Sequence, residues 1–346
     1  MSPLVSPAAG EADVSHWTDD RQDALVLGML LECDDDFVEG SVLCDKLDVP
    51  RAELLKRLDS LRARGYVIQA SGGRGYRLTG LPNGVSEREI APLLGTAEIG
   101  RAIHHYAELA STNDEAHRLA DLGARHGELV IAEAQTHGRG RRGRAWISPA
   151  GKSIALSVIL RPSIPAARAP EITLAAAVAV CEAVCEVGAA TARIKWPNDV
   201  ECGGRKLAGI LTELRAEGER TRHVVLGVGL NCGLLPEDFP EDLEHRATSL
   251  RIEKGEDVPR SLACARLLEA LDEWLALHDL EGFAPVRDRF RQLSSTLGRR
   301  VRVELEPGVL EGDAVDLADD GALIVRTPDE SLTRVMAGDV VHCRLL

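Results

Sequence analysis

The chain has 346 residues, 45% of them apolar, and a formal net charge of -14; this length suits two or three domains with substantial cores. So acidic a chain does not coat nucleic acid with its whole surface, and any such contact has to come from a local basic region. No apolar run reaches the length of a membrane span, and the N-terminus MSPLVSPAAGEADVSHW lacks the basic-then-apolar order of a secretion signal, which predicts a cytoplasmic protein, with no membrane partner, opening on a disordered tail over residues 1–19.

RQDALVLGMLLEC (21–33) has helical apolar spacing, DDDFVEG (34–40) is an acidic loop, and SVLCDKLDV (41–49) is a short helix ending near Pro50. PRAELLKRLDSLRARGY then starts a helix at Pro50, carries Leu54, Leu55, Leu58 and Leu61 on one face and stops at Gly65. YVIQASGGRGYRLTG is a strand, a glycine turn and a strand. That order predicts a winged helix-turn-helix over residues 20–83. Residues 41–80 hold eight Lys/Arg against four Asp/Glu, which makes this the candidate for contacting nucleic acid, with Arg51, Lys56 and Arg57 off the leucine stripe and Arg74 at the wing tip. Asp59 and the run Asp34, Asp35, Asp36 dilute the basic field, so a winged helix used only for protein contact stays open.

LPNGVSEREIAPLL (81–94), with Pro, Asn and Gly, is the expected linker. STNDEAHRLADLGA begins a helix with Thr112 at the cap position and Glu115 three residues on, a capping-box pattern. ELVIAEAQ and SIALSVIL are predicted strands flanking an arginine loop, EITLAAAVAVCEAVCEVG is a buried helix, and ARIKWPNDV, RKLAGILTELR and RHVVLGVGLN are three further strands. Strands joined mostly by short turns predict an α+β class with a mixed sheet over residues 84–295. Residues 296–346 hold short strands punctuated by PG, DDG and AGD, which predict a small β-barrel.

The loop GRGRRGRAW (138–146) places four arginines and three glycines in nine positions. Glycines between arginines let backbone N–H groups and guanidinium forks face one anion together. The spacing is not that of a P-loop or of a dinucleotide fingerprint; a solvated basic turn is the plain alternative. KWPNDV (195–200) and GRKLAGILTE (204–213) each add a lysine beside turn residues, and Asn198 and Asp199 place an amide and a carboxylate at a strand end. Lysine, arginine and an aspartate able to hold Mg²⁺ are what a polyphosphate transfer site requires. The eight cysteines contain no CxxC pair and the ten histidines no HExxH, so reduced thiols, the pair Cys181 and Cys185 in the core, and no protein-built metal cage are expected.

STN, GRGRRGRAW, KWPND, RKLAGILTE and GVGLN stand in the order of the biotin protein ligases, and the sequence resembles that family over essentially its whole length after the tail. With an N-terminal winged helix carrying GGRGYRL, it looks like the bifunctional ligase-repressors. The resemblance implies a class II synthetase-like catalytic sheet followed by a C-terminal SH3-like β-barrel. It also implies two steps: biotin and ATP, with Mg²⁺ near Asp199, give biotinyl-5′-AMP and pyrophosphate, and a lysine of a biotin carboxyl carrier domain then takes the biotin. On the matching positions, Lys206 contacts the biotin carboxylate and phosphate, while Ser111, Thr112, Asn113 and Gln135, with Gly138 and Gly209, form the biotin pocket. Arg139 and Arg141 act on the reacting groups, and Arg139, Arg141 and Arg144, with Arg142, belong to the loop closing over the adenylate. Trp146 packs on adenine, Asn198, Asp199 and Asn231 lie near nucleotide and metal, and Arg344 reaches the nucleotide from the last domain. Ala145 and His137 depart from the family pattern within and before the loop. A homodimer formed with adenylate bound is the implied repressor. A related lipoate or acyl-carrier ligase, and a ligase whose winged helix no longer reads DNA, are the alternatives.

Overall fold

The computed structural model describes residues 15–33, 36–96, 98–218, 220–305, 308–336 and 338–342. Two compact units divide it: residues 1–80 with 91–95, and residues 81–90 with 96–346. Among the described residues no helix is long and apolar enough to cross a membrane.

The smaller unit runs α1 (Ser15–Glu32), α2 (Gly40–Leu47), α3 (Arg51–Ala63), β1 (Val67–Ser71) and β2 (Gly75–Gly80), the last two an antiparallel hairpin. Pro50 precedes the first residue of α3 in extended conformation, as the sequence suggests. Leu54, Leu58 and Leu61 are fully buried while Leu55 is 41% exposed, so the stripe is narrower than its four leucines. Asp34 and Asp35 lie outside the described residues.

In the larger unit, α4 (Glu87–Ile90) falls inside the expected linker, and its neighbours Pro82 and Asn83 are tied down: the Ser261 hydroxyl donates to Pro82 O, and the Arg260 N–H to Asn83 Oδ1 at 3.0 Å. Then follow β3 (Ile103–Leu109), α5 (Thr112–Asp121), β4 (Leu129–Gln135), β5 (Ser153–Leu160), α6 (Ala169–Glu186), β6 (Arg193–Lys195), β7 (Asp199–Cys202), β8 (Arg205–Glu217) and β9 (Arg220–Asn231). The seven strands form one mixed sheet in the order β3-β4-β5-β9-β8-β7-β6, with β3 and β4 parallel and every other neighbour antiparallel. ARIKWPNDV is not one strand: Trp196, Pro197 and Asn198 make the turn between β6 and β7, where Pro197 has no N–H to give to a ladder. α7 (Leu250–Lys254), α8 (Arg260–Glu281) and α9 (Phe283–Leu293) complete the helical layer; α6, nearly all alanine, valine and cysteine on its buried side, packs on α8, α9 and β8.

The expected barrel at the C-terminus is not there. β10 (Arg300–Leu305), β11 (Gly308–Leu317), β12 (Leu323–Arg326), β13 (Leu332–Val335) and β14 (Asp339–His342) make an open antiparallel sheet in the order β13-β12-β11-β10-β14. β13 and β14 follow each other in sequence but hydrogen-bond to opposite partners, β12 and β10, and among the described residues no ladder joins them. Between these four-residue edge strands, Gly338 lies against Val303 and Leu305 of β10. Turn signals predict the strands; they do not reveal which edges meet.

Candidate active site

Strand periodicity prepares one face of the large sheet for a ligand. Side chains alternate across a strand, and the registers Ser157↔Gly227, Ala155↔Gly229 and Gly209↔Gly229 bring small residues side by side from β5, β9 and β8. Farther along the same face Ile159 and Val225 pack under Ala116 and Ala120 of α5. The helix thus covers one half of the face, and the glycines leave the other half open. A cleft of about 1700 Å³ lies there. A Cβ at Gly229 would stand 2.3 Å from Trp146 Cε2, and one at Gly227 would stand 2.2 Å from Asn113 Oδ1; only glycine admits those two side chains at these depths.

Ser111, Thr112 and Asn113, at the start of α5, are each 4% exposed. The Thr112 N–H and hydroxyl approach Gln135 Oε1 at 2.8 and 3.1 Å, Ser157 Oγ lies 2.8 Å from Thr112 Oγ1 and 2.6 Å from Asn113 Oδ1, and Asn113 Nδ2 donates to Glu213 Oε2 at 2.7 Å. The capping box expected at Thr112 does not form: the N-cap is Ser111, with no side-chain cap bond, because the Thr112 hydroxyl turns toward Gln135 and Ser157 while Glu115 is taken by Arg118 and Tyr106.

The arginine loop is a tight turn, closed by Gly140 N–H to Arg144 O at 2.7 Å and Trp146 N–H to Gly138 O at 2.8 Å. Arg142 takes a left-handed conformation (φ 55°). Each of three guanidinium groups has an internal acceptor. Arg139 makes a fork on Asp114 at 2.7 and 2.5 Å, Arg141 donates to Asn198 Oδ1 at 3.0 Å and Gly338 O at 3.1 Å, and Arg142 donates to Glu304 O at 3.1 Å. The fork from Arg139 holds the Asp114 carboxyl below the usual aspartate range, against the opposing effect of burial. Arg144 lines the cleft.

Opposite the loop, Lys206 Nζ is 2.7 Å from Asp199 Oδ1 and 5.5 Å from the centroid of the Trp146 ring. Its backbone is fixed by Lys206 N–H to Arg246 O and Thr248 N–H to Lys206 O, each 2.8 Å. Trp146 lies on Gly229 and close to Gly209, with its Nε1 buried and, among the described residues, without a hydrogen-bond partner. Asn198 Nδ2 donates to Ile210 O and Asn231 Nδ2 to Thr248 O, each at 2.9 Å.

The structure therefore brings Ser111, Thr112, Asn113, Gln135, Arg139, Arg141, Arg144, Trp146, Asn198, Asp199, Lys206, Gly209 and Asn231 to one cleft. Gly138 and Arg142 belong to the same loop, and Arg344 lies outside the described residues. Ala145 faces Arg139 in a single bridge across the loop, and the His137 N–H donates to Ala110 O at 2.9 Å. Sequence reasoning gave no role to Ser157 or Glu213, although each bonds to an expected site residue; the one signal was a serine in the middle of an otherwise apolar stretch of strand. Among the described residues no group of three or more His, Cys, Asp or Glu could hold a metal ion.

In the smaller unit Arg51 and Lys56 are exposed, and Arg74 is exposed with its guanidinium 4.4 Å from the centre of the Phe37 ring. Arg57, expected beside them, is turned inward. It is 9% exposed, with NH1 3.4 Å from Asp23 Oδ1.

Residues 108–231 match the biotin/lipoate A/B protein ligase family and residues 296–343 the biotin protein ligase C-terminal domain. The chain is 35% identical over 315 residues to the bifunctional ligase/repressor BirA of Bacillus subtilis, covering 91% of this chain and 97% of that one. It is 38% identical over 259 residues to the biotin–[acetyl-CoA-carboxylase] ligase of Mycobacterium tuberculosis, covering 73% and 93% respectively. Among solved structures it is similar to the biotin protein ligase from Aquifex aeolicus in complex with biotin and ATP, with TM-score 0.61 and 26% identity over 71% of this chain and 100% of that one.

Proposed function

The chain belongs to the biotin protein ligases, in their bifunctional ligase/repressor branch, an enzyme family that uses biotin and ATP, and on that premise we propose how its residues divide the work. The biotin carboxylate attacks the α-phosphorus of ATP; a C–O–P linkage forms, the bond to the β-phosphate oxygen breaks, and pyrophosphate leaves. The ε-amine of a lysine on a biotin carboxyl carrier domain then attacks the acyl carbon, AMP departs with the carboxyl oxygen, and the amine loses a proton. The observation that carries this reading is the Lys206 ammonium, 2.7 Å from Asp199 and above Trp146, in the same cleft as the hydrogen-bonded Thr112–Gln135 wall.

Lys206 neutralises the charge that develops as carboxylate and α-phosphate approach. Ser111, Thr112, Asn113 and Gln135 hold the biotin head, with Gly138 and Gly209 leaving room beside it. Arg139 and Arg141 meet the reacting groups, Arg142 and Arg144 close over the phosphates, and Trp146 offers its ring and an unused Nε1–H to the adenine. Asn198 and Asn231 flank the nucleotide, and Arg344, outside the described residues, is assigned to the nucleotide by the family resemblance alone. A Mg²⁺ that takes its ligands chiefly from the triphosphate and water needs only one or two protein carboxylates; Asp199 fits that part, and the ion would offset the phosphate charge.

The three helices and hairpin of the smaller unit support a winged helix that reads a two-fold operator, with Arg51 and Lys56 on α3 and Arg74 at the hairpin tip. β8 pairs with β7 only through Arg205–Gly209, and its remaining edge supports a homodimer formed by strand addition. The test of the ligase is mass spectrometry of a purified carrier domain incubated with the protein, ATP, Mg²⁺ and biotin: a gain of one biotinyl group is expected, and an unmodified carrier overturns the reading. An operator titration with and without biotin and ATP tests the repressor.

A further inference from the structure

Building on the nucleotide roles given above to Asn198 and Asp199, we propose that Trp196 is a positioning residue: by donating to Gly321 O of the C-terminal sheet it sets the turn that carries Asn198 and Asp199, so that this sheet shapes the ATP half of the cleft and leaves the biotin half alone. Trp196 is 2% exposed, and its Nε1–H donates to Gly321 O at 3.1 Å. Its backbone N–H donates to Oγ1 of the fully buried Thr296 at 3.0 Å. Just before it, Ile194 O accepts from the Ser295 N–H at 2.8 Å and from the Ser295 hydroxyl at 3.2 Å, and Ile194 bridges Ser294 in parallel. Residues 294–296, which lead from α9 toward β10, thus cover the outer edge of β6, the last strand of the large sheet.

The carbonyl that receives the indole is held in place. Gly321 lies between β11 and β12 with φ 81°, and its N–H donates to Ala318 O at 3.0 Å. A Cβ there would run into Leu174 of α6, with Phe283 of α9 also close, so glycine alone suits both the left-handed backbone and the space between the two helices. A buried indole N–H requires an acceptor, and this one belongs to a turn wedged against the helical layer. Two residues past Trp196, the Asn198 side chain is spent on the site: its Nδ2 donates to Ile210 O, and its Oδ1 accepts from Arg141 NH1, which also reaches Gly338 O. Asp199 follows and pairs with Lys206. The C-terminal sheet therefore touches this half of the cleft twice, at Gly321 through Trp196 and at Gly338 through Arg141. The bonds that join Thr112, Gln135, Ser157 and Asn113 run instead between α5, β4 and β5. Cutting the tether at Trp196 lets Asn198 and Asp199 shift while the opposite wall keeps its bonds.

The experiment compares wild type, Trp196→Phe and Thr296→Val by three measurements: KM for ATP in biotin-dependent pyrophosphate exchange, Kd for biotin by calorimetry without ATP, and thermal unfolding. Trp196→Phe keeps an aromatic ring in the buried site and removes the donor to Gly321. Thr296→Val keeps the branched shape and removes the acceptor of the Trp196 N–H. Each should raise KM for ATP about three- to tenfold, the scale of one lost hydrogen bond, while Kd for biotin stays within about twofold of wild type. A residue that only packs would lower the unfolding temperature without separating the two ligands. KM for ATP within about twofold of wild type in Trp196→Phe overturns the inference, and so does a loss of biotin affinity by the same factor as the rise in KM. Should Trp196→Phe not fold, the Thr296→Val arm decides by the same two criteria. Absence of biotin binding and of exchange in the wild type would instead overturn the ligase reading on which this rests.

Discussion

At the Thr112–Gln135 end of the cleft, buried polar groups are bonded to one another at 2.6 to 3.1 Å, whereas at the arginine loop the cations rest on Asp114, Asn198 and two backbone carbonyls. A neutral head group is recognised by donors and acceptors whose direction is set in advance, since a buried mispaired group costs about 1–3 kcal/mol. A polyphosphate is recognised by charge. Charges on exposed side chains can wait on weak internal partners and be exchanged, because such pairs contribute only about 0–1 kcal/mol. The wall should therefore behave as rigid structure and the loop as a set of parked cations.

The largest expected effect is at Lys206. Its side chain is 38% exposed and paired with Asp199, so Lys206→Ala should change the unfolding temperature little. Each charge-assisted hydrogen bond lost at the reacting groups should remove about 1.5–3 kcal/mol, or roughly one to two decades of rate. Biotin-dependent pyrophosphate exchange measures this, and an unchanged exchange rate would remove Lys206 from the reacting groups.

Arg141→Gly should act on retention more than on formation. Arg141 joins the loop to Asn198 and to Gly338 of the C-terminal sheet, so removing it unfastens the loop on that side while leaving Lys206 in place. Activated biotin should then escape and label bystander lysines, visible by mass spectrometry of an added inert protein. Labelling confined to the carrier domain would show that the loop does not depend on this fastening.

The same contrast between parked and buried cations applies in the smaller unit. Arg57 and Asp23 are 9% and 2% exposed, and Arg64 also approaches Asp23 at 3.4 Å. With contacts this long and a second partner present, Arg57→Ala should cost about 1–2 kcal/mol, below the range for a short buried pair. Exposed Arg51→Ala should leave stability unchanged and weaken operator binding. Urea unfolding of both variants separates the two roles; equal stability would place Arg57 among the surface cations after all.

How much of this the sequence carries depends on how far apart the partners lie along the chain. The helix and hairpin signals of residues 21–80 and the strands around the arginine loop are legible because each follows from local spacing and turn chemistry, although α1 begins at Ser15, inside the expected disordered tail; most of the residues lining the cleft were legible only through the family resemblance. Arg57 was misread because its partner Asp23 comes from a helix 34 positions away. Glu213 and Ser157 stayed hidden because they reach Asn113 from 100 and 44 positions away, through strand registers that no short window displays. The capping box failed for the same reason, since the Thr112 hydroxyl found Gln135 and Ser157. The C-terminal strands were visible as strands, but barrel closure depends on edges that the turns do not specify.

The smallest effect tests parking itself. Asp114 is 55% exposed and its partner Arg139 38% exposed, so their fork should contribute only about a few tenths of a kcal/mol after solvent screening. Because Arg139 depresses the folded-state pKa of Asp114, the contribution is fully present above the ordinary aspartate range and is lost as pH falls through the folded-state value. The difference in unfolding temperature between wild type and Asp114→Asn should therefore be constant above about pH 5 and fade below about pH 4. Asp114→Asn also weakens the hold on Arg139, so KM for ATP should stay level or fall. A rise would mean that Asp114 works in the liganded state, orienting Arg139 toward the reacting groups as fixed structure, and the loop would then be as prepared as the wall opposite it.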